Sequence, residues 1–180
     1  MNKQNVFFII FCLILIPTLF SQKNKGPLFE HLNRQDSSSF IAFLETFEES
    51  FELKDSLLIK QLSCKKINCD LCFTSTPPSS INGYAIPVDR FISSYLSEIL
   101  AAKLWEELKN NNFSLYKRKI LNYKSENLPI GYSDDLILYE LCIATYKANE
   151  WAEGHEGQNH IFQFIKYEKF FMFYGFSSIP

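Results

Sequence analysis

In the stretch "SSSFIAFLETFEESFEL", Phe40, Leu44, Phe47 and Phe51 recur at helical spacing among polar residues, and Ile41 widens the same stripe. A 3.6-residue period puts these side chains on one face, and Ser37 to Ser39 offer N-cap oxygens ahead of them. The pattern predicts an amphipathic helix over 39–52. A longer stripe follows in "PVDRFISSYLSEILAAKLWEELKNNN", where Val88, Phe91, Tyr95, Leu96, Ile99, Leu104, Trp105 and Leu108 keep the same period. Pro87 suits a first helical turn, Asp89 favours the positive end of the helix dipole, and Asn110 to Asn112 end the pattern. One helix over 88–110 is expected. Between the two, "DSLLIKQLS" fits a helical turn or a strand, and "TSTPPSSINGY" is loop by composition.

From Phe113 the period shortens. "FSLYKRKILNYK" reads as strand or helix, whereas "DLILYELCIATYK", "HIFQFIKY" and "KFFMFYGF" are rich in β-branched and aromatic residues. Helices early and strands late predict an α+β domain, with N-terminal amphipathic helices packed on a C-terminal antiparallel sheet. In element order alone this resembles small secreted domains of the NTF2-like or cystatin-like kind. No motif in the chain carries that resemblance, and no family function follows from it.

The last two segments predict a hairpin with Tyr167, Glu168 and Lys169 near its turn. Strict alternation puts Phe171 and Phe173 on one face, and Phe170, Met172, Tyr174 and Phe176 on the other. Ile161 and Ile165 likewise oppose Phe162 and Phe164. Both faces are therefore apolar, unlike a sheet with one wet side. The helices cover one face; more chain, a ligand or a partner must cover the other, because large bare apolar patches are rare on monomers. Phe170, Phe171, Phe173 and Tyr174 are the candidate binding surface.

The first residues change the picture. In "MNKQNVFFIIFCLILIPTLFSQ", Lys3 precedes an apolar run from Val6 to Ile16, and Ser21 is a small residue ahead of Gln22. This is the layout of a secretory signal peptide over 1–21, with an uncleaved, membrane-anchored signal as the alternative. The run is shorter than the roughly 20 apolar residues that span a bilayer. A polar leader over 22–37 and a single domain over 38–180 follow, secreted or periplasmic and off the membrane once the signal is removed. Lys3 is the one charged residue of 1–21, so its loss from 18 basic against 20 acidic residues leaves a net charge of −3. The signs are mixed along the chain, and no basic stripe offers a nucleic-acid footprint.

Compartment bears on the cysteines. Four remain after Cys12 goes with the signal: Cys64, Cys69, Cys72 and Cys142. An even count in an exported chain favours disulfides, with three possible connectivities. Such bridges would tie the loop between the helices to itself and to the strand carrying Cys142. Free or partly paired thiols are the next alternative, and zinc follows, since C-x4-C-x2-C supplies three thiolates, but the second close ligand pair is missing. The spacing also matches a plant-type iron–sulfur pattern, although "KKIN" holds no small residue that would let amides reach a cluster. A redox CxxC at Cys69–Cys72 would open a helix, whereas Thr74 to Ser80 follow it here.

"GHEGQNH" holds His155, Glu156 and His160. It is one residue too long for the H-E-x-x-H zinc helix, because positions five apart lie about 140° apart on a helix. A polar turn between strands is expected, with no metal ligand and no cofactor. Asp134 and Asp135 read as a turn or cap. No G-x-S-x-G, P-loop or G-x-G-x-x-G occurs, and Asn112-Phe113-Ser114 is a glycosylation sequon. The function expected is an exported binding or interaction module: an adaptor, inhibitor or small-ligand carrier, stapled by disulfides. Its partner would be a protein or a small apolar ligand. The alternative is a secreted hydrolase-like enzyme using His155, Glu156 and His160.

Overall fold

The computed structural model describes residues 34–72, 84–123 and 127–179. The expected signal peptide, most of the leader and most of the Pro-Pro loop lie outside these residues. The described elements run α1 (Arg34–Glu52), α2 (Ser56–Gln61), β1 (Ser63–Cys69), a 3-10 turn (Asp70–Cys72), β2 (Ala85–Pro87), α3 (Val88–Ala101), α4 (Lys103–Lys109), β3 (Phe113–Ile120), β4 (Leu136–Tyr146), β5 (Gln158–Tyr167) and β6 (Phe170–Ile179). The fold is α+β, with helices covering one face of a six-stranded sheet ordered β2-β1-β6-β5-β4-β3.

Helix α1 starts five residues before the periodicity does. Its first turn carries Asp36, which is buried and sits 2.5 Å from Lys166 Nζ on β5. A tertiary ion pair thus anchors a turn that hydrophobic spacing leaves unmarked, so residues 34–37 of the expected leader are helical. Phe40, Phe47 and Phe51 are wholly buried. The stripe is widened by Phe43 rather than by Ile41: the Phe43 ring meets Phe164 edge-on at 5.4 Å and lies 5.9 Å from Phe171. The "DSLLIKQLS" segment resolves as helix. The Asp55 carboxylate caps α2 by accepting from the Leu57 and Leu58 amides, at 3.1 and 3.0 Å.

The helix expected over 88–110 is two helices. At Ala102 the backbone turns extended, with ψ 153°. Alanine has the highest helix propensity, so the break is not a local preference. Packing accounts for it: α3 rests on β1, whereas α4 rests on β4. A straight helix would not serve both strands. After the turn, Leu104, Trp105 and Leu108 are buried, and Trp105 stacks on Phe51 at 5.5 Å.

Strands β3 to β6 form an antiparallel meander; β4 to β6 follow the sequence reading, and "FSLYKRKILNYK", open between strand and helix, supplies β3. The sheet is nevertheless mixed, because β1 runs parallel to β6. Turn residues Glu168 and Lys169 join β5 to β6 where the hairpin was expected. Alternation along β6 is not strict. Phe164 pairs with Phe173 while Gln163 pairs with Gly175, which leaves Tyr174 as the extra residue of a β-bulge. The bulge reverses parity, so Phe176 joins Phe171 and Phe173 on the helix side instead of opposing them. Gly175 is required at the bulge: a Cβ there would meet Gln163 Oε1 at 2.6 Å and the Asn68 carbonyl oxygen at 2.9 Å.

The large core lies between the helices and the sheet and is dominated by phenylalanine. A smaller cluster on the other face joins Cys64, Leu136, Leu138, Ile165 and Tyr174, with Tyr123, Leu128 and Tyr132 packed over it. More chain therefore covers part of the second face.

Candidate functional site

The cysteine-rich stretch is strand β1 and the 3-10 turn after it, not a free loop. Its pattern puts Cys64, Ile67 and Cys69 in the interior while Lys65 and Lys66 face solvent. Cys69 and Cys72 form a disulfide across the turn, with Cα atoms 5.4 Å apart. Both residues are buried, and the Tyr95 hydroxyl donates to the Cys72 carbonyl oxygen at 2.9 Å. The expected tie to the strand carrying Cys142 is not made; Cys64 and Cys142 are free thiols. Strands β6 and β5 separate β1 from β4. At roughly 4.8 Å per strand, that is about 14 Å, far beyond the reach of a disulfide. Burial pushes the Cys64 thiol up to about 12, and it also raises that of Cys142, with a smaller push from Glu140.

His155 and His160 are held by different partners. His155 lies in the β4–β5 connection, where its Nδ1 accepts from the Gly157 amide and its ring meets Trp151 edge-on at 4.9 Å. Glu156 beside it is exposed. His160 belongs to β5 rather than to the turn, and its Nδ1 lies 2.7 Å from Thr145 Oγ1. Burial lowers its pKa. Asp135 acts as a local cap, accepting from the Asn122 amide at 3.1 Å and pairing with Lys119 at 2.7 Å. Among the described residues, no three His, Cys, Asp or Glu side chains converge as a metal site would require.

Of the four hairpin aromatics singled out as a surface, Phe171, Phe173 and Tyr174 are buried and only Phe170 is exposed. Beside them lies a groove of about 720 Å³ on the sheet face opposite the large core, bordered by the end of α2. Met172 and Tyr167 of the hairpin and Cys64 of β1 form its floor, Leu128, Pro129 and Ile130 one wall, and Lys60, Lys65 and Lys66 its rim. The wall is held by the Tyr167 hydroxyl, which donates to the Ile130 carbonyl oxygen at 2.8 Å, and by Tyr132 stacked on Tyr167. Gly131 makes the turn behind Ile130 with φ +85°, a conformation that side-chain-bearing residues resist. Ile130 itself is 97% exposed. Lys60 pairs with Asp89, whereas Lys65 and Lys66 make no ion pair among the described residues.

The sequence marked the hairpin but not the groove. No element is expected over residues 127–132, and their one signal was the apolar Leu128, Pro129 and Ile130 in a segment with no periodicity to bury them. No helix among the described residues is long and apolar enough to cross a membrane. No family model matches the chain, and no curated protein matches it.

Proposed function

We propose that the protein is an exported binding module that carries a small amphiphilic anion, an alkyl carboxylate, in the groove between β1, residues 127–130 and the β5–β6 hairpin. The observation that carries this reading is an apolar groove of about 720 Å³ bordered by Lys65 and Lys66, which make no ion pair among the described residues. That volume falls within the roughly 300–1,000 Å³ typical of small-molecule sites. An alkyl chain laid over Met172, Leu128 and Ile130 gains about 0.8 kcal/mol for each methylene buried. A carboxylate at the rim would pair with Lys65 and Lys66, exposed contacts worth about 0.2–1 kcal/mol each. The concave shape favours a small ligand over the broad surface through which an adaptor or inhibitor acts. The Cys69–Cys72 disulfide supports an oxidising compartment, in keeping with the N-terminal signal pattern. The hydrolase alternative has less support, because His155 and His160 are engaged by separate partners.

Calorimetric titration of the oxidised chain with dodecanoate tests the proposal. Dodecanoate should bind stoichiometrically, dodecanol more weakly, and the double variant Lys65→Glu/Lys66→Glu about tenfold more weakly than the parent. Equal binding of dodecanoate by parent and variant, or no binding at all, would contradict it.

A further inference from the structure

A second cleft lies on the opposite, helix-bearing side of the sheet, where α3 breaks at Ala102. It measures about 180 Å³ and brings together Cys69 and Cys72, Tyr95, Glu98, Leu104, His160 and Phe176. The disulfide and His160 are some ninety residues apart in the chain, and the sheet makes them neighbours. His160 and Phe176 stack nearly parallel, with ring centroids 5.9 Å apart and an interplanar angle of 14°. Both rings line the cleft.

The polar groups of the cleft share one character. The Thr145 hydroxyl reaches the Ile143 carbonyl oxygen at 3.4 Å. His160 Nδ1 lies 2.7 Å from Thr145 Oγ1, and in the tautomer with its ring hydrogen on Nδ1 it donates to that oxygen. That tautomer leaves Nε2 as an acceptor. Burial lowers the pKa of His160, which keeps the ring neutral at pH 7. The Glu98 carboxylate is a second acceptor, and the Tyr95 hydroxyl is already committed to Cys72. In that tautomer a ligand here must bring a donor, and an anion would meet Glu98. Size narrows the class further, since a cavity of about 150 Å³ holds one benzene ring.

We propose that this cleft is a second ligand site, taking a single-ring compound with one hydroxyl that donates to His160 Nε2. The ring packs among the His160–Phe176 pair, Leu104 and the disulfide. The site is separate from the lysine-rimmed groove and selects the opposite chemistry, a neutral donor instead of an anion.

The test is a titration of the full oxidised chain with phenol and with toluene at pH 7.5, read from the NMR signals of the His160 ring. Phenol should shift them saturably and bind about tenfold more tightly than toluene, the factor that one net hydrogen bond supplies. His160→Phe should abolish the phenol preference while toluene still binds. If that variant fails to fold, Thr145→Val, which frees the tautomer, should narrow the preference. Equal affinity for phenol and toluene in the parent chain, or no saturable shift at His160, would overturn the proposal. Dodecanoate should leave the His160 signals unmoved, so failure here is distinguishable from failure of the groove.

Discussion

The Tyr95 hydroxyl donates to the Cys72 carbonyl oxygen at 2.9 Å, and this bond pins helix α3 to the disulfide turn at the end of β1. It joins a side chain of the helix layer to a backbone group that belongs to no strand ladder. Tyr95→Phe should cost about 1 kcal/mol, the net worth of one such bond, because the carbonyl loses its partner while the ring still packs. Thermal unfolding of parent and variant measures it. An unchanged midpoint would mean that the bond contributes nothing.

The cysteines make a prediction about mass and labelling. Unfolded without reductant, the chain should expose Cys64 and Cys142 to alkylation and keep Cys69 and Cys72 as a pair. In the folded state Cys64 should react far more slowly than Cys142, because burial both shields it and holds its thiol protonated up to about 12. Mass spectrometry after timed alkylation distinguishes the two sites. Rapid labelling of Cys64 would contradict its placement in the interior.

Much of the fold is legible in the sequence because the helical stripes are local. Phe40 to Phe51 and Val88 to Leu108 announce their faces through spacing alone. Three features escape such reading, each for a physical reason. Asp36 extends α1 through a contact with Lys166, 130 residues away. The break at Ala102 serves two different strands and leaves no local mark. The bulge at Tyr174 changes parity, with Gly175 as its one trace. The candidate sites were less legible than the fold. The groove wall comes from an aperiodic turn, and the cleft joins Cys69–Cys72 to His160 only after the sheet is assembled.

The bulge gives the hairpin substitutions distinct outcomes. Phe170 is 71% exposed, whereas Phe173 is wholly buried against Phe47, Phe91 and Phe164. Phe170→Ser should move stability by no more than about 0.5 kcal/mol. Phe173→Ala should cost about 3–5 kcal/mol as a large buried ring is replaced by a cavity. Denaturant unfolding of the two variants tests the assignment of faces; comparable losses would contradict it.

His160 sets a pH dependence whose sign follows from its burial. Its pKa in the folded chain lies below the ordinary value of 6.5. The unfolded chain therefore takes up a proton first as pH falls, and protonation favours unfolding. Stability should be unaffected by this group above about pH 6.5, fall below it, and level off beneath the folded-state value. His160→Phe should flatten that part of the profile. Thermal midpoints of both proteins between pH 7.5 and 5 provide the comparison, and identical slopes would contradict the assignment.

The most direct measurement of the central claim locates the bound anion. With methyl groups isotope-labelled, dodecanoate should shift the NMR signals of Met172, Leu128 and Ile130 saturably and leave Leu104 and Ile99 of the opposite layer unmoved. Lys65→Glu/Lys66→Glu should weaken that response without changing which methyl groups report it. Shifts confined to other parts of the molecule, or a response unaltered by reversing the two charges, would contradict the account.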